Sequence, residues 1–173
     1  RGIGLELCRQ LKARGFDVIA TCRHRSPALA ELDVEVIEDV EVSDPISLKA
    51  LSEKLGDRKI DWLINNAGIA AGLGLNDIDT NAIDSFKSMF AVNSLGPLLT
   101  TQALINHIPQ GGKVGIITSR MGSIADNDSG GSYAYRMSKA AVNAAGKSLS
   151  IDLKPRGITI ALYHLVRNPS HFF

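Results

Sequence analysis

Cysteine, long apolar runs and an excess of charge of one sign are all scarce in this 173-residue chain, and each scarcity removes a class of protein. Its two cysteines, Cys8 and Cys22, have no metal-ligand spacing and cannot build a disulfide framework. No metal site is expected, and reduced thiols in a cytoplasmic protein are the expected state. Lys and Arg number 19 against 18 Asp and Glu, a net charge of +1 that gives no reason to expect nucleic acid or a membrane surface as partner. No apolar run approaches the roughly 20 residues of a membrane span, and no signal peptide is expected. It begins with Arg1 rather than Met and runs straight into Gly2 and Gly4. That opening resembles a break inside a loop, so a fragment is expected.

The hydrophobic fraction of 45% and charged fraction of 21% are those of a globular protein, and the length fits a single domain over 1–173. Ile3, Leu7, Cys8 and Leu11 make a helical stripe ended by Gly15. Strands are predicted at Phe16 to Cys22, Val34 to Ile37, Ile60 to Ile64, Gly112 to Thr118 and Gly157 to Tyr163. Ser43-Asp44-Pro45 predicts the start of a helix reaching about Leu55. A long helix is predicted from about Asn81 to His107, with Pro97 inside it as a candidate bend. Another runs from about Ser132 to Leu153. A polar, proline-containing stretch follows Cys22. Alternating helices and mostly apolar strands predict an α/β fold with a parallel sheet covered on both faces. Ligands of such sheets bind beyond the carboxyl ends of the strands, where every polar cluster of this chain falls.

Gly2-Ile3-Gly4 at a helix start suits a backbone that approaches a pyrophosphate, although Gly-x-Gly also occurs in ordinary turns. Asn65-Asn66-Ala67-Gly68 after a buried strand can tie strand ends together, flank a nucleotide, or both. Tyr135 and Lys139 stand one helical turn apart on one face. An ammonium about 6 Å from a phenol, at an effective dielectric near 20, favours the phenolate by roughly 2–3 kcal/mol. That is about two pKa units, which suits general acid–base work on a carbonyl or alcohol. Chance alone supplies Tyr-x-x-x-Lys in about one such chain in six. Of the other tyrosines, Tyr133 has Met137 and Tyr163 has Arg167 at the corresponding position. Ser119 is placed to donate to a substrate oxygen or merely to cap a turn. Asn93 inside a helix needs a reason, such as a bend, a bound water or plain exposure. Arg1 and Arg23, with no acid at the end of the second strand, suit a 2′-phosphate or a solvated basic loop.

In order and spacing these residues resemble the classical short-chain dehydrogenase/reductase family over essentially the whole chain. Arg1 to Gly4 is similar to the end of its glycine-rich turn, and Asn65 to Gly68 to its Asn-Asn-Ala-Gly motif. Phe90 to Pro97 is similar to its central-helix segment, Ile117 to Ser123 to its serine segment and Tyr135 to Lys139 to its active-site motif. The resemblance implies a doubly wound Rossmann fold that lacks its first strand and its C-terminal substrate segment. His164-Leu165-Val166-Arg167 lacks the family's Pro-Gly, and 168–173 resembles no known segment.

The same resemblance implies catalytic roles for Tyr135, Lys139, Ser119 and Asn93. Tyr135 would exchange the proton, Ser119 would hold the substrate oxygen, Lys139 would bind the nicotinamide ribose, and Asn93 would hold a water linked to Lys139. It implies cofactor binding by Arg1, Gly2, Ile3, Gly4, Arg23, Glu41, Val42, Asn66, Ala67 and Gly68 together with Tyr135 and Lys139. NADP is expected over NAD, with Glu41-Val42 standing for the family's Asp-Val and Asp39 close by. The spacing from Ser119 to Tyr135 resembles the C-factor and sniffer-type carbonyl reductases. Hydride transfer between nicotinamide and a small-molecule carbonyl or alcohol is the expected activity, with a homodimer or homotetramer as the expected assembly. The alternatives are a nucleotide-binding regulatory or signalling protein and an inactive fragment. A nucleotide-sugar epimerase is disfavoured by Asn65 to Gly68 and the short length.

Overall fold

The computed structural model describes residues 1–80 and 82–165. Expectations for Asn81, Val166, Arg167 and the tail 168–173 lie outside the described residues. Helix α1 spans Gly2–Ala13, and strand β1 spans Ile19–Thr21. The polar stretch after β1 contains one helical turn that the sequence reading did not predict, α2 (Pro27–Ala30). Its N-cap Ser26 accepts a hydrogen bond from the Leu29 amide at 3.3 Å. Strand β2 (Glu35–Ile37) precedes α3 (Pro45–Leu55), whose start follows the expected chemistry: Asp44 accepts from the Ile46 amide at 2.9 Å and Pro45 sits in the first turn.

Strand β3 (Trp62–Asn65) leads to the segment predicted as one long helix with a candidate bend at Pro97. It is divided into α4 (Ala82–Phe90), a π-helical turn (Ala91–Leu95) and α5 (Gly96–Leu104). Pro97 gives the physical reason. Within a helix its ring would collide with the carbonyl of residue 93, four positions back, and it has no N–H to offer that carbonyl. The chain widens into a π turn at that point and restarts with Pro97 in the first turn of α5. Strand β4 (Lys113–Thr118), helix α6 (Tyr133–Asp152) and strand β5 (Thr159–His164) complete the described elements.

The strands are parallel, as predicted. β1 pairs with β2 from Ile19↔Glu35 to Thr21↔Ile37, while β3, β4 and β5 form a second ladder in that order. Among the described residues β1 and β3 share no ladder, and each has a paired strand along one edge only. Both line a cavity of about 1320 Å³ together with Leu7, Cys8 and Leu11 of α1. This accounts for the shortness of β1 relative to its apolar run, since only the residues facing β2 find partners. It also explains why α1 has no buried residue despite its apolar stripe.

Two apolar clusters hold the layers. Ile37, Val40, Leu48, Leu51, Leu55 and Leu104 pack between α3, α5 and β2. Ile108, Val114, Ile116, Val142 and Ile158 pack between α6 and the second ladder, and Leu63 of β3 touches both clusters. Between α3 and α5 lies a buried polar link. His107 Nδ1 is 3.0 Å from the Arg58 carbonyl and Nε2 is 2.8 Å from Ser52 Oγ. A carbonyl only accepts, so Nδ1 carries the hydrogen of that bond.

Leu48 is 1% exposed, whereas Leu11 lines the open cavity. Leu48→Ala is expected to cost about 2–5 kcal/mol of stability, and Leu11→Ala less than about 1 kcal/mol, because truncation at the cavity wall creates little new void. Urea denaturation of the two variants checks this, and equal losses would contradict the cavity.

Candidate functional site

The site is assembled where the π turn, the loop after β3, the turn after β4 and the first turns of α6 meet. Asn93 of the π turn is 1% exposed and its carboxamide is fully engaged. Its Oδ1 accepts the Ile69 amide at 2.8 Å, and its Nδ2 donates to the Ile69 carbonyl at 2.8 Å and to Ser138 Oγ at 3.0 Å. Ser138 Oγ donates in turn to the Tyr135 carbonyl at 2.8 Å. Ser94 Oγ donates to the Ser138 carbonyl at 2.8 Å. The π turn therefore grips both the loop after β3, at Ile69, and the α6 backbone between Tyr135 and Lys139. Asn93 owes its place in a helical segment to this bend, one of the reasons its position called for. Its amide groups are spent on protein partners.

Lys139 is 4% exposed, and its Nζ donates to the Ile117 carbonyl at 2.9 Å and lies 5.8 Å from the centroid of the half-buried Tyr135 ring. Burial pulls the ammonium below the ordinary lysine range, because removal from water penalises the charged form. A Cβ added at Gly68 would lie 3.4 Å from Asn93 Oδ1 and 3.7 Å from Lys139 Nζ, so the end of the Asn-Asn-Ala-Gly segment adjoins both groups.

Ser119 caps the 3₁₀ turn Arg120–Gly122 by accepting the Met121 amide at 3.1 Å. Its own hydroxyl hydrogen has no protein acceptor among the described residues, which leaves a donor. This turn is pressed onto α6. Thr118 Oγ1 donates to Asn143 Oδ1 at 2.6 Å, and Asn143 Nδ2 donates to the Gly122 carbonyl at 3.4 Å. A side chain at Gly122 would meet the Lys139 carbonyl carbon at 2.8 Å and Asn143 Nδ2 at 2.9 Å, a close approach that only glycine permits. Asn143 and Gly122 escaped the sequence reading. The signal was there for Asn143, which follows Lys139 by four residues and so shares its face of the helix.

The remaining candidates gather elsewhere. Arg1, Gly2, Ile3, Gly4, Arg23, Glu41, Val42, Asn66, Ala67 and Gly68 all line the cavity between β1 and β3. Tyr135 and Lys139 do not; Gly68 is the junction between the two groups. Gly4 allows α1 to lie against Asn66, whose Nδ2 would be 2.6 Å from any added Cβ. The α1 N-terminus has no side-chain cap and no acid in its first turn, and Arg1 is its N-cap residue. Glu41 Oε1 accepts from the Ser43 amide at 3.2 Å and from Ser43 Oγ at 2.9 Å, while Oε2 faces Arg23 Nη1 at 3.7 Å. Val42 packs against Gly96 at the start of α5. Among the described residues no group of three or more His, Cys, Asp or Glu could hold a metal ion. No described helix is long and apolar enough to cross a membrane.

The short chain dehydrogenase family profile matches residues 1–165. The chain is 38% identical to the 1-hydroxy-2-glutathionyl-2-methyl-3-butene dehydrogenase of Rhodococcus sp. (strain AD45), covering 95% of this chain and 72% of that protein. It is 44% identical to the C-signal protein of Myxococcus xanthus over 68% of this chain and 70% of that one. It is also similar to the structure of a Pseudomonas aeruginosa PAO1 carbonyl reductase in complex with NADP, at 30% identity and a TM-score of 0.84. That likeness covers 96% of this chain and 80% of the reductase.

Asn93→Ala leaves the Ile69 amide, the Ile69 carbonyl and Ser138 short of partners. At about 1–3 kcal/mol for each buried group left unpaired, a loss of at least ~2 kcal/mol is expected in equilibrium urea unfolding. A loss below about 0.5 kcal/mol would show that the grip is dispensable.

Proposed function

Because the chain belongs to the short-chain dehydrogenase family of oxidoreductases, we propose that it transfers hydride between the nicotinamide of NADP and a small-molecule carbonyl or alcohol. The observation that carries this reading is the buried Lys139 ammonium, 5.8 Å from the Tyr135 ring and beside the donor-bearing Ser119 turn. Bound NADPH supplies the hydride. The residues expected to bind cofactor fit a dinucleotide: the uncapped N-terminus of α1, with no acid in its first turn, favours pyrophosphate, and the guanidinium of Arg23 favours a 2′-phosphate. Arg1, Gly2, Ile3 and Gly4 would hold the pyrophosphate end. Arg23, Glu41 and Val42 would hold the adenosine end, and Asn66, Ala67 and Gly68 the middle.

In the direction of carbonyl reduction, Ser119 Oγ donates a hydrogen bond to the substrate oxygen and fixes it beside Tyr135. The Tyr135 hydroxyl gives that oxygen its proton. Lys139 stabilises the phenolate left behind through its positive charge, which its hydrogen bond to the Ile117 carbonyl holds in place. Asn93 acts on this reaction through the α6 backbone that it grips. Exposed Leu95, Leu98, Met137 and Ile151 on the helices carrying these residues support a homodimer or homotetramer. Free Cys8 and Cys22 support a cytoplasmic setting. A second reading, a nucleotide-binding signalling protein, is favoured by the likeness to C-signal; it differs in predicting NADPH binding without turnover.

Tyr135→Phe is expected to lower kcat for NADPH-dependent reduction of aldehydes and ketones by about 10²–10⁴ with NADPH binding intact. Turnover that survives the change would exclude the mechanism. A paired pH test follows from Lys139. Turnover falls as pH rises through its lowered pKa, because the amine loses its charge. Stability moves the other way. The unfolded chain holds this proton up to the ordinary 10.5, so between the lowered folded value and 10.5 the Lys139 contribution to stability rises with pH. Parallel rate and urea-unfolding profiles check both signs. Arg23→Ala is expected to weaken NADPH about tenfold, or ~1.4 kcal/mol, with little change for NADH, measured by fluorescence titration.

A further inference from the structure

Arg136 follows Tyr135 directly on α6, and nothing above uses it. Its guanidinium meets no carboxylate among the described residues and instead collects neutral oxygens. Nε donates to the Gly130 carbonyl at 3.3 Å and to the Gly131 carbonyl at 3.2 Å, Nη2 to Ser129 Oγ at 2.9 Å and Nη1 to the Met121 carbonyl at 3.5 Å. These acceptors belong to the two ends of the segment between Ser119 and Tyr135. Met121 is in the turn that Ser119 caps, and 129–131 lead into α6.

That lead-in is strained. Gly130, Gly131 and Ser132 are left-handed in succession, with φ of 62°, 62° and 49°, and Ser132 is not a glycine. Ser132 makes no side-chain cap, and no acid stands in the first turn of α6. The first amide of the helix is taken by the Leu73 carbonyl at 3.3 Å, from a distant loop. The helix that carries Tyr135 therefore starts from a left-handed bend strained at its one non-glycine residue, and among the described residues the guanidinium bridges this bend to the Ser119 turn.

We propose that Arg136 is a positioning residue: its forked guanidinium fastens the bend at 129–132 to the 3₁₀ turn at Arg120–Gly122 and so holds the Tyr135 phenol in register with the Ser119 hydroxyl. This rests on the proposed reaction for its kinetic consequence, and on the fork alone for its structural one. Lysine keeps the charge but cannot reproduce several divergent N–H donors in one plane, so Arg136→Lys separates geometry from charge.

The full chain and its Arg136→Lys variant are compared by hydrogen exchange, NADPH titration, turnover and phenol titration. The variant is expected to exchange at least tenfold faster over 123–134, with β4 and α3 unchanged. Its kcat should fall at least tenfold while the NADPH Kd stays within twofold. With Tyr133→Phe and Tyr163→Phe as background, absorbance follows Tyr135 alone, and its titration midpoint should differ between the parent and the Arg136→Lys variant. Unchanged exchange over 123–134, acceleration spread equally through β4 and α3, or an unmoved phenol midpoint would each overturn the proposal, as would kcat retained within twofold in an active parent. A parent without NADPH-dependent turnover sinks the proposed reaction alone, and exchange and phenol titration still decide the role of Arg136.

Discussion

The buried carboxamide of Asn93 is the contact on which the rest of the site depends. It reaches an Ile69 amide and carbonyl on one side and Ser138 on the other, so it fixes the loop after β3 and the helix α6 with one rigid planar group. Neither segment could be set by apolar packing alone, since both expose main-chain groups that must find partners once buried. The π turn presents this side chain, and Pro97 follows it in the first turn of α5.

Around that grip the polar groups divide by neighbourhood. Lys139, Tyr135 and Ser119 are held by α6 and the end of β4, a part of the molecule with a continuous three-stranded ladder and a closed apolar cluster beneath it. The candidates for dinucleotide contact line a cavity bordered by α1, β1 and β3. The candidate chemistry and the candidate cofactor contacts thus stand on different elements, with Gly68 adjoining both.

Much of this was legible in the sequence because it depends on local rules. Asp44 and Pro45 define a helix start by themselves, and Tyr135 and Lys139 share a helix face whatever surrounds them. The parallel ladders follow from apolar strands alternating with helices. The parts that were not legible are those decided by contacts distant in sequence. Asn143 and Gly122 matter because a turn and a helix touch. The length of β1 depends on which of its edges has a neighbour. Asn93 suggests a water ligand by resemblance, and only its distances reveal that its side-chain amide reaches Ile69 and Ser138. The short helix α2 rests on Ser26 and Pro27, a capping signal present in the sequence but hidden inside a polar stretch.

The two ladders also imply an order of assembly. β1 pairs Ile19 with Glu35, a short loop, whereas β3 pairs Trp62 with Lys113 and β4 pairs Lys113 with Thr159 across much longer ones. Closing the longer loops costs only about 1 kcal/mol more than the short one, because the penalty grows with the logarithm of length. The two-stranded β1–β2 unit can therefore close early on local contacts, ahead of the ladder under α6.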